Sequence, residues 1–133
     1  MNKLRTSCII DDDDIIVYGI KRNMKELNFC DHLLVFNNGQ EALTGLKEIC
    51  ANGEDFPSVI FLDLNMPIMD GWEFLEALTK FPGFQKEKMT IYIISSSVDP
   101  RDLLRVKNYG IVRKYILKPI TSEDLRDVLA NVA

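Results

Sequence analysis

The sequence predicts an α/β fold in which one parallel sheet carries helices on both of its faces. Five short apolar segments alternate along the chain with five segments whose apolar residues recur at helical spacing. The short segments show no apolar–polar alternation, which indicates strands covered on both faces. A repeated strand–helix–strand order produces a parallel sheet with right-handed crossover connections. The 133 residues contain no linker, low-complexity run or internal repeat, so we expect a single domain.

The predicted strands are the segments that are short, apolar and rich in residues that favour extended backbone. In chain order they are Cys8–Ile10, Leu33–Phe36, Val59–Leu62, Ile91–Ile94 and Tyr115–Leu117. The longest uninterrupted apolar runs have only four residues. The sequence therefore excludes a transmembrane helix and the apolar core of a signal peptide, and we expect a cytoplasmic protein without membrane contact.

The predicted helices each carry one apolar stripe that would face the sheet. In chain order the stripes are Ile16, Ile20, Met24 and Leu27; Ala42, Leu43, Leu46, Ile49 and Cys50; Phe74, Leu75 and Leu78; Leu103, Leu104 and Val106; and Leu125, Val128, Leu129 and Val132. The fourth stripe is the weakest.

Several helix starts are marked by capping residues. Either Asp13 or Asp14 should cap the first helix, where a carboxylate also interacts favourably with the helix dipole. Asp99 followed by Pro100 is typical of an N-cap and the first helical residue. Thr121 lies three residues before an aspartate, as in a capping box. The polar stretch 81–89 contains Pro-Gly and is expected to form a turn.

Composition excludes several classes of function. A net charge of −4 with scattered lysines and arginines offers no basic surface for nucleic acid. The cysteines Cys8, Cys30 and Cys50 are odd in number and lack CxxC spacing, so we expect reduced packing residues. His32 is the single histidine and is expected to be an ordinary strand-edge residue and not a metal ligand.

Polar residues with complementary chemistry follow four of the predicted strands. The first strand ends in the run 11–14, which is all aspartate, and the third ends in Asp63. The fourth ends in Ser95–Ser97 and the fifth in Lys118 and Pro119. Because ligands of open parallel sheets bind outside the carboxyl ends of the strands, we expect these side chains to form one pocket.

The acidic residues of this pocket indicate a magnesium-dependent phosphoryl-group site. Crowded carboxylates repel one another, and a hard divalent cation with oxygen ligands removes that repulsion. Mg²⁺ often takes only one or two carboxylates together with phosphate oxygens. Asp63 could act as a nucleophile toward phosphorus, while Lys118 and a serine hydroxyl could contact phosphoryl oxygens. Taken singly, the aspartate run, the Lys-Pro pair and the serine triplet could each be ordinary loops.

The motifs CIIDDDD, VIFLDLNMPIMDGWEFL, YIISSS and YILKP resemble those of the CheY-like receiver domain of bacterial two-component response regulators. The resemblance covers about residues 5–132. It implies a flavodoxin-like, doubly wound (βα)5 fold with strand order 2-1-3-4-5. We also expect one receiver domain over 1–133. If this is the natural length, it is of the stand-alone type without an output domain; if it is a domain cut from a longer protein, an output domain would lie outside it.

The resemblance assigns roles to individual positions around the acidic cluster. Asp63 matches the phospho-accepting aspartate. Asp11 and Asp12 match the acidic pair that holds Mg²⁺ together with Asp63, with Asp12 as the more direct ligand. Asn65 lies where the family uses a backbone carbonyl as a further metal ligand. Gly71, in the loop and helix start after the acceptor, is expected at a turn that a side chain would not allow.

Further positions match the phosphoryl contacts and the switch. Ser95 matches the switch hydroxyl, with Ser96 as the alternative in the triplet. Lys118 matches the phosphoryl-contacting lysine, and Pro119 follows it, with a cis bond as an option. Tyr115 matches the switch aromatic. The spacing from Ser95 to Lys118 implies one additional residue, which we place within 110–114.

The resemblance also implies partners. We expect a histidine kinase or a histidine phosphotransfer protein as phosphoryl donor. A downstream protein or a second copy would bind the face formed by the fourth helix, fifth strand and fifth helix.

Two alternatives remain: a degenerate receiver that only binds proteins, and a Mg²⁺-dependent phosphatase with an aspartyl nucleophile. The phosphatase is disfavoured because Asn65 replaces its second acid and no cap insertion is present, so we expect a signalling domain and not an enzyme. Carboxylates at the strand ends also disfavour a flavin phosphate.

Overall fold

Five parallel strands form one sheet in the order β2-β1-β3-β4-β5, as the family resemblance implied. The computed structural model describes residues 4–84 and 88–132. The strands are β1 (Leu4–Ile10), β2 (Cys30–Phe36), β3 (Val59–Asp63), β4 (Thr90–Ser95) and β5 (Val112–Leu117). The helices are α1 (Asp14–Leu27), α2 (Gly39–Ala51), α3 (Gly71–Lys80), α4 (Pro100–Val106) and α5 (Ser122–Val132). None of the described helices has the length and apolar content needed to cross a membrane.

The apolar core has two halves, one on each face of the sheet. Side chains of α2 and α3 pack on one face, together with partly buried residues at the end of α4. Side chains of α1 and α5 pack on the other face. All five residues of β3 are buried, which confirms the prediction of a doubly covered strand. The edge strands β2 and β5 are only partly covered. These two strands and β1 begin earlier than the apolar segments predicted for them.

The helix caps agree with the sequence patterns. Asp13 caps α1 and accepts hydrogen bonds from the backbone N–H groups of Ile15 and Ile16 at 3.0 and 3.3 Å. Asp99 caps α4. At the start of α5, the Thr121 N–H donates to the Asp124 carboxylate at 2.9 Å, and the Asp124 N–H donates to the threonine hydroxyl at 3.1 Å. Local side chains therefore satisfy backbone groups that these helices leave without intrahelical partners.

The predicted turn, the histidine and the cysteines, for which the sequence suggested no functional role, agree with their predictions in the described residues. The Phe84 N–H donates to the Phe81 carbonyl at 3.0 Å, which closes the predicted Pro-Gly turn. Residues 85–87 of that stretch lie outside the described part. His32 is exposed on edge strand β2. Cys8 is buried, and none of the three cysteines, all within the described residues, forms a disulfide.

A β-bulge lies in β5. Ile91 pairs with Val112, but the next residue of β4, Tyr92, pairs with Lys114, so Arg113 is left over. The bulge falls within 110–114, where the sequence implied an additional residue. Because the extra residue is absorbed before Tyr115, the end of β5 remains in register with β4.

Helix α4 contributes no fully buried residue of its own. It is instead connected to α3 through longer side chains. The Arg105 guanidinium lies 4.5 Å from the centroid of the Trp72 ring. Just beyond the helix, the Tyr109 hydroxyl donates to the Glu76 carboxylate at 3.1 Å. The lack of a fully buried residue agrees with the weak apolar stripe of this segment, and it makes α4 less firmly held than the other helices.

Gly71 brings the start of α3 against the end of β3. A Cβ atom at this position would lie 2.6 Å from the Asp63 carbonyl oxygen and 2.9 Å from the Leu64 Cα. The Gly71 N–H donates to the Leu64 carbonyl at 2.9 Å. Glycine is therefore required by close backbone approach, since its φ is not among the positive values of the described residues.

We expect Gly71→Ala to lower the free energy of unfolding by about 1 to 3 kcal/mol, because the methyl group meets backbone atoms that cannot rotate away. Gly19→Ala in α1 is the matched control. Its methyl group would have no atom within 4 Å, so it should raise stability by about 0.5 to 1 kcal/mol. Urea unfolding followed by circular dichroism gives both values. Equal effects at the two positions would contradict the role of close approach.

Candidate functional site

Four strands deliver polar side chains to the carboxyl edge of the sheet. β1 and β3 are neighbours, and Ile10 of β1 lies opposite Leu62 of β3. Asp11 follows Ile10 and Asp63 follows Leu62, so the two aspartates lie side by side. β4 lies on the other side of β3. Ser95 at its end pairs with Leu117 of β5. The strand order thus collects residues from four separate parts of the chain into one pocket.

Three aspartates form an acidic cluster in this pocket. Asp11, Asp12 and Asp63 each place a carboxylate oxygen within 4.8 Å of the other two. Asp11 is fully buried and Asp63 is 5% exposed, whereas Asp12 faces solvent. The Asp13 N–H donates to Asp11 Oδ1 at 2.9 Å and orients that carboxylate. This set offers only hard oxygen donors with one side open to water, which fits a small divalent cation such as Mg²⁺ or Mn²⁺.

Lys118 bridges the two buried carboxylates. Its Nζ lies 2.8 Å from Asp11 Oδ2 and 3.3 Å from Asp63 Oδ1. The side chain is largely buried, although it comes from the edge strand. The Lys118 N–H donates to the Ser95 carbonyl at 2.8 Å, which ties the ends of β4 and β5 together. The peptide bond between Lys118 and Pro119 is cis.

The charges in the pocket are not balanced. Burial, and then the negative charge of Asp11, raises the pKa of Asp63 to about 6, and the Lys118 ammonium group and the Asn65 N–H only partly offset this. Burial alone would lower the pKa of Lys118, but its contacts with Asp11 and Asp63 outweigh burial and raise it. The lysine therefore stays protonated, while the ionised form of Asp63 is disfavoured.

The serine triplet has one buried member. Ser95 is 4% exposed, and its hydroxyl accepts a hydrogen bond from the Ser97 N–H at 3.4 Å. Ser96 and Ser97 are exposed. Tyr115, which is half-buried on the neighbouring strand, donates its hydroxyl to the Ser97 carbonyl at 3.0 Å. The segment after β4 is thus connected to the pocket through Ser95 and to β5 through Tyr115.

The loop after Asp63 supplies a hydrogen-bond donor to the site, and further along it contains a residue with positive φ that sequence reasoning missed. Asn65 is exposed, and its N–H interacts with the Asp63 carboxylate. Further along, Ile68 has a φ of 70° and is 79% exposed. A β-branched residue rarely adopts this conformation, which costs of order 1–3 kcal/mol. The residue type gives no signal of it, because isoleucine ordinarily favours extended backbone.

Asp70 is a second feature that sequence reasoning missed. It forms a full capping box with Glu73 at the start of α3, with N–H to carboxylate distances of 2.9 and 3.1 Å. The pattern of an acid followed three residues later by glutamate could have revealed it. The box fixes where α3 begins and so helps to hold the loop that follows Asp63.

Comparisons with known proteins agree with this geometry. The family model described as "Response regulator receiver domain" matches residues 8–130. Among curated proteins, the sensor histidine kinase CheAY of Helicobacter pylori is 32% identical over 120 residues, which are 90% of this chain and 14% of the kinase. The chain thus spans a small part of that relative.

Solved structures share the fold. A two-component response regulator from Cytophaga hutchinsonii has 30% identity and a TM-score of 0.89, with coverage of 98% of this chain and 97% of that one. The Mn²⁺-bound form of response regulator Rcp1 has 21% identity and a TM-score of 0.72, with coverage of 94% and 88%. The flavodoxin-like α/β fold and the family resemblance that the sequence predicted are confirmed. The chain belongs to the response regulator receiver domain family of two-component systems.

Proposed function

We propose that this chain accepts a phosphoryl group on Asp63 from a phosphohistidine of a histidine kinase or histidine phosphotransfer protein, in a Mg²⁺-dependent reaction. The observation that carries the proposal is the buried Asp63 carboxylate, which lies between a second acid and the Lys118 ammonium group at the carboxyl edge of the sheet. Family membership makes phosphoryl acceptance the expected use of such a site.

The residues present fit a divalent cation. Asp11, Asp12 and Asp63 would hold it, with the Asn65 backbone carbonyl as a further oxygen ligand. Response regulator Rcp1, which shares this fold, has been solved in a Mn²⁺-bound form, and this supports a divalent ion here. When bound, Mg²⁺ would offset the excess negative charge of the cluster and of an incoming phosphoryl group.

The transfer uses an Asp63 carboxylate oxygen as the nucleophile. This oxygen attacks phosphorus, an O–P bond forms, and the N–P bond of the donor phosphohistidine breaks, with its electron pair passing to the imidazole nitrogen. Lys118 places positive charge beside the accepting oxygen. The Ser95 hydroxyl now accepts from the Ser97 N–H, so its own proton is available, and it would move toward a phosphoryl oxygen to donate to it.

Movement of Ser95 would be transmitted to the surface. The Tyr115 hydroxyl is bound to the Ser97 carbonyl, so displacement of residues 95–97 would disturb this contact and release the tyrosine ring to a more buried position. The surrounding face of α4, β5 and α5 exposes Leu104 and Leu117. We propose it as the surface for a downstream protein or a second copy, whose affinity would depend on which conformation it prefers.

The alternatives receive less support. An aspartyl phosphatase would need its acid–base residue two positions after the nucleophile, where this chain has the exposed amide Asn65. A receiver that only binds proteins would not need the buried lysine between two carboxylates. Both alternatives can be distinguished from phosphoryl acceptance by the stoichiometry of labelling.

With phosphoramidate and Mg²⁺, the wild type should take up one phosphoryl group per chain. Asp63→Asn should abolish this, because an amide is not a nucleophile toward phosphorus. Asp55→Asn, an exposed residue near the opposite end of β3, is the control and should label fully. Intact-mass spectrometry measures the uptake. Full labelling of the Asp63 variant, or steady turnover of a phosphomonoester, would refute the assignment.

Metal affinity should distinguish the acids of the 11–14 run. Asp12→Asn should weaken Mg²⁺ binding at least tenfold, because it removes a proposed ligand. Asp13→Asn removes the same charge but retains the α1 cap, since asparagine caps helices as well as aspartate does. It should weaken binding less than threefold. Isothermal titration calorimetry without a phosphodonor compares the two, and a larger loss at Asp13 would show that the ligands are misassigned.

Without divalent cations, Asp63→Asn should raise the free energy of unfolding at pH 7.5 by about 1 to 3 kcal/mol, because an ionised buried carboxylate is removed. The pKa of Asp63 is about 6 in the folded chain, against an ordinary value of 3.8. The folded state therefore binds this proton more readily, and wild-type stability gains as pH falls from about 7 to about 4. The difference in free energy of unfolding between the Asp63→Asn variant and the wild type should therefore shrink as the pH falls over that range.

Urea unfolding in EDTA at pH 7.5 and at pH 5 measures this difference, with Asp55→Asn as the control that should show no such trend. Mg²⁺ at pH 7.5 should reverse the order, because it stabilises only the chain that binds it. An advantage of the variant that is unchanged between the two pH values would contradict the assigned protonation of Asp63.

The switch hydroxyl can be identified by comparing Ser95→Ala with Ser96→Ala. Ser95 is buried beside the pocket and Ser96 is exposed. Only the Ser95 change should uncouple Tyr115, because the path from the pocket runs through that side chain. Amide and aromatic NMR spectra with and without beryllofluoride and Mg²⁺ report this coupling. If Tyr115 does not respond in the wild type, or responds equally in both variants, the proposed path is wrong.

A further inference from the structure

A groove of about 610 Å³ lies between α1 and β2, away from the acidic cluster. Its lining comes from the later turns of α1 and the first residues of β2. These residues are displaced toward the amino ends of the strands, whereas Asp63 lies at a carboxyl end. The phosphoacceptor function proposed above does not account for this groove.

The groove has an apolar floor because β2 is the edge of the sheet. In the described part of the chain, β2 pairs only with β1, and α1 covers that face of it incompletely. Met24 is buried at the floor, and Leu33 is partly buried beside it. Tyr18, which is 68% exposed, forms an aromatic wall. A volume of this size falls in the range of ordinary ligand sites.

The α1 rim of the groove is basic on an acidic chain. Lys21, Arg22 and Lys25 line it, although the whole chain has a net charge of −4. Over residues 4–84 and 88–132, no ion pair involves any of these three side chains. Asp31 is the acidic residue of the lining and lies on the β2 side. The cations are thus available to an acidic partner that approaches along α1.

The edge of β2 adds backbone hydrogen-bonding groups next to this basic rim. A strand that pairs on one side only presents N–H and C=O groups on the other, and extended peptides commonly bind such edges. Side chains of an extended peptide alternate between two faces. A peptide lying along β2 would therefore direct every second side chain toward the groove.

We propose that this groove, formed by α1 and the edge of β2, binds an extended acidic peptide segment of a partner protein. Apolar side chains of the segment contact Met24 and Leu33. Its carboxylates meet Lys21 and Lys25, and its backbone pairs with the edge of β2. Charge complementarity selects a peptide over a second copy of this chain, since two copies with net charge −4 repel each other.

The probe is a fluorescein-labelled Glu-Val-Glu-Leu-Glu-Val peptide, titrated by fluorescence anisotropy against the full chain. The variant Lys21→Gln with Lys25→Gln should lose at least tenfold in affinity. Lys107→Gln with Arg126→Gln, which removes the same charge from exposed positions elsewhere, should change affinity less than twofold. Amide NMR shifts should concentrate in residues 18–25 and 30–35, and amides of β2 should become protected from hydrogen exchange.

Several outcomes would overturn the proposal. They are failure of the peptide to bind, equal losses in the two double variants, and equal binding of a peptide with lysine in place of glutamate. Shifts at these residues with decanoate but not with the peptide would assign the groove to a small amphipathic anion. Self-association that is lost in the Lys21 and Lys25 variant, measured by sedimentation, would assign it to a second copy.

Discussion

Two buried carboxylates share one buried ammonium group, and the geometry of the whole carboxyl edge depends on this arrangement. Lys118 contacts both Asp11 and Asp63. If the lysine were absent, two negative charges would face each other with little water to screen them. With it present, the cluster still carries an excess of negative charge. The negative charges in the pocket therefore repel one another, and a bound cation would reduce this repulsion. The arrangement of charges that a cation requires is already present without one.

The rest of the fold fixes the distances within that cluster. β1 and β3 are central strands with fully buried ends, so Asp11 and Asp63 have little freedom to separate. Lys118 comes from an edge strand and is held by the backbone bond from its N–H to Ser95. Gly71 presses the start of α3 against the carbonyl of Asp63. Packing thus keeps like charges close together that would separate in a looser structure.

How much the sequence could predict differed between the fully buried and the partly exposed parts of the strands. Val59–Leu62 was recognised as a buried strand because every residue in it is apolar. β1, β2 and β5 were predicted too short at their amino ends, since these partly exposed stretches include polar residues. The pocket could be predicted because parallel strands deliver their carboxyl ends to one edge. The shared contact of Lys118 could not, because it depends on side-chain distances across three strands.

Other features had no sequence signal because they arise from tertiary packing. The left-handed conformation of Ile68 contradicts the preference of its residue type. The position of Arg113 as the bulged residue is decided by pairing between β4 and β5, although the sequence suggested an additional residue nearby. The groove beside β2 could not be predicted either. In the sequence, Lys21, Arg22 and Lys25 are typical of a solvated helix face, and only the fold places them next to the uncovered edge of the sheet.

Helix α4 is supported by an aromatic ring that is also the only tryptophan of the chain. Trp72 is nearly buried in α3, with the Arg105 guanidinium over its ring and Tyr109 beside it. Indole emission depends on the polarity and charge around the ring. A displacement of α4 that withdraws Arg105 would change that environment without moving α3. The molecule thus carries its single indole at the contact between α3 and α4, and a change in this contact would alter the emission of that ring.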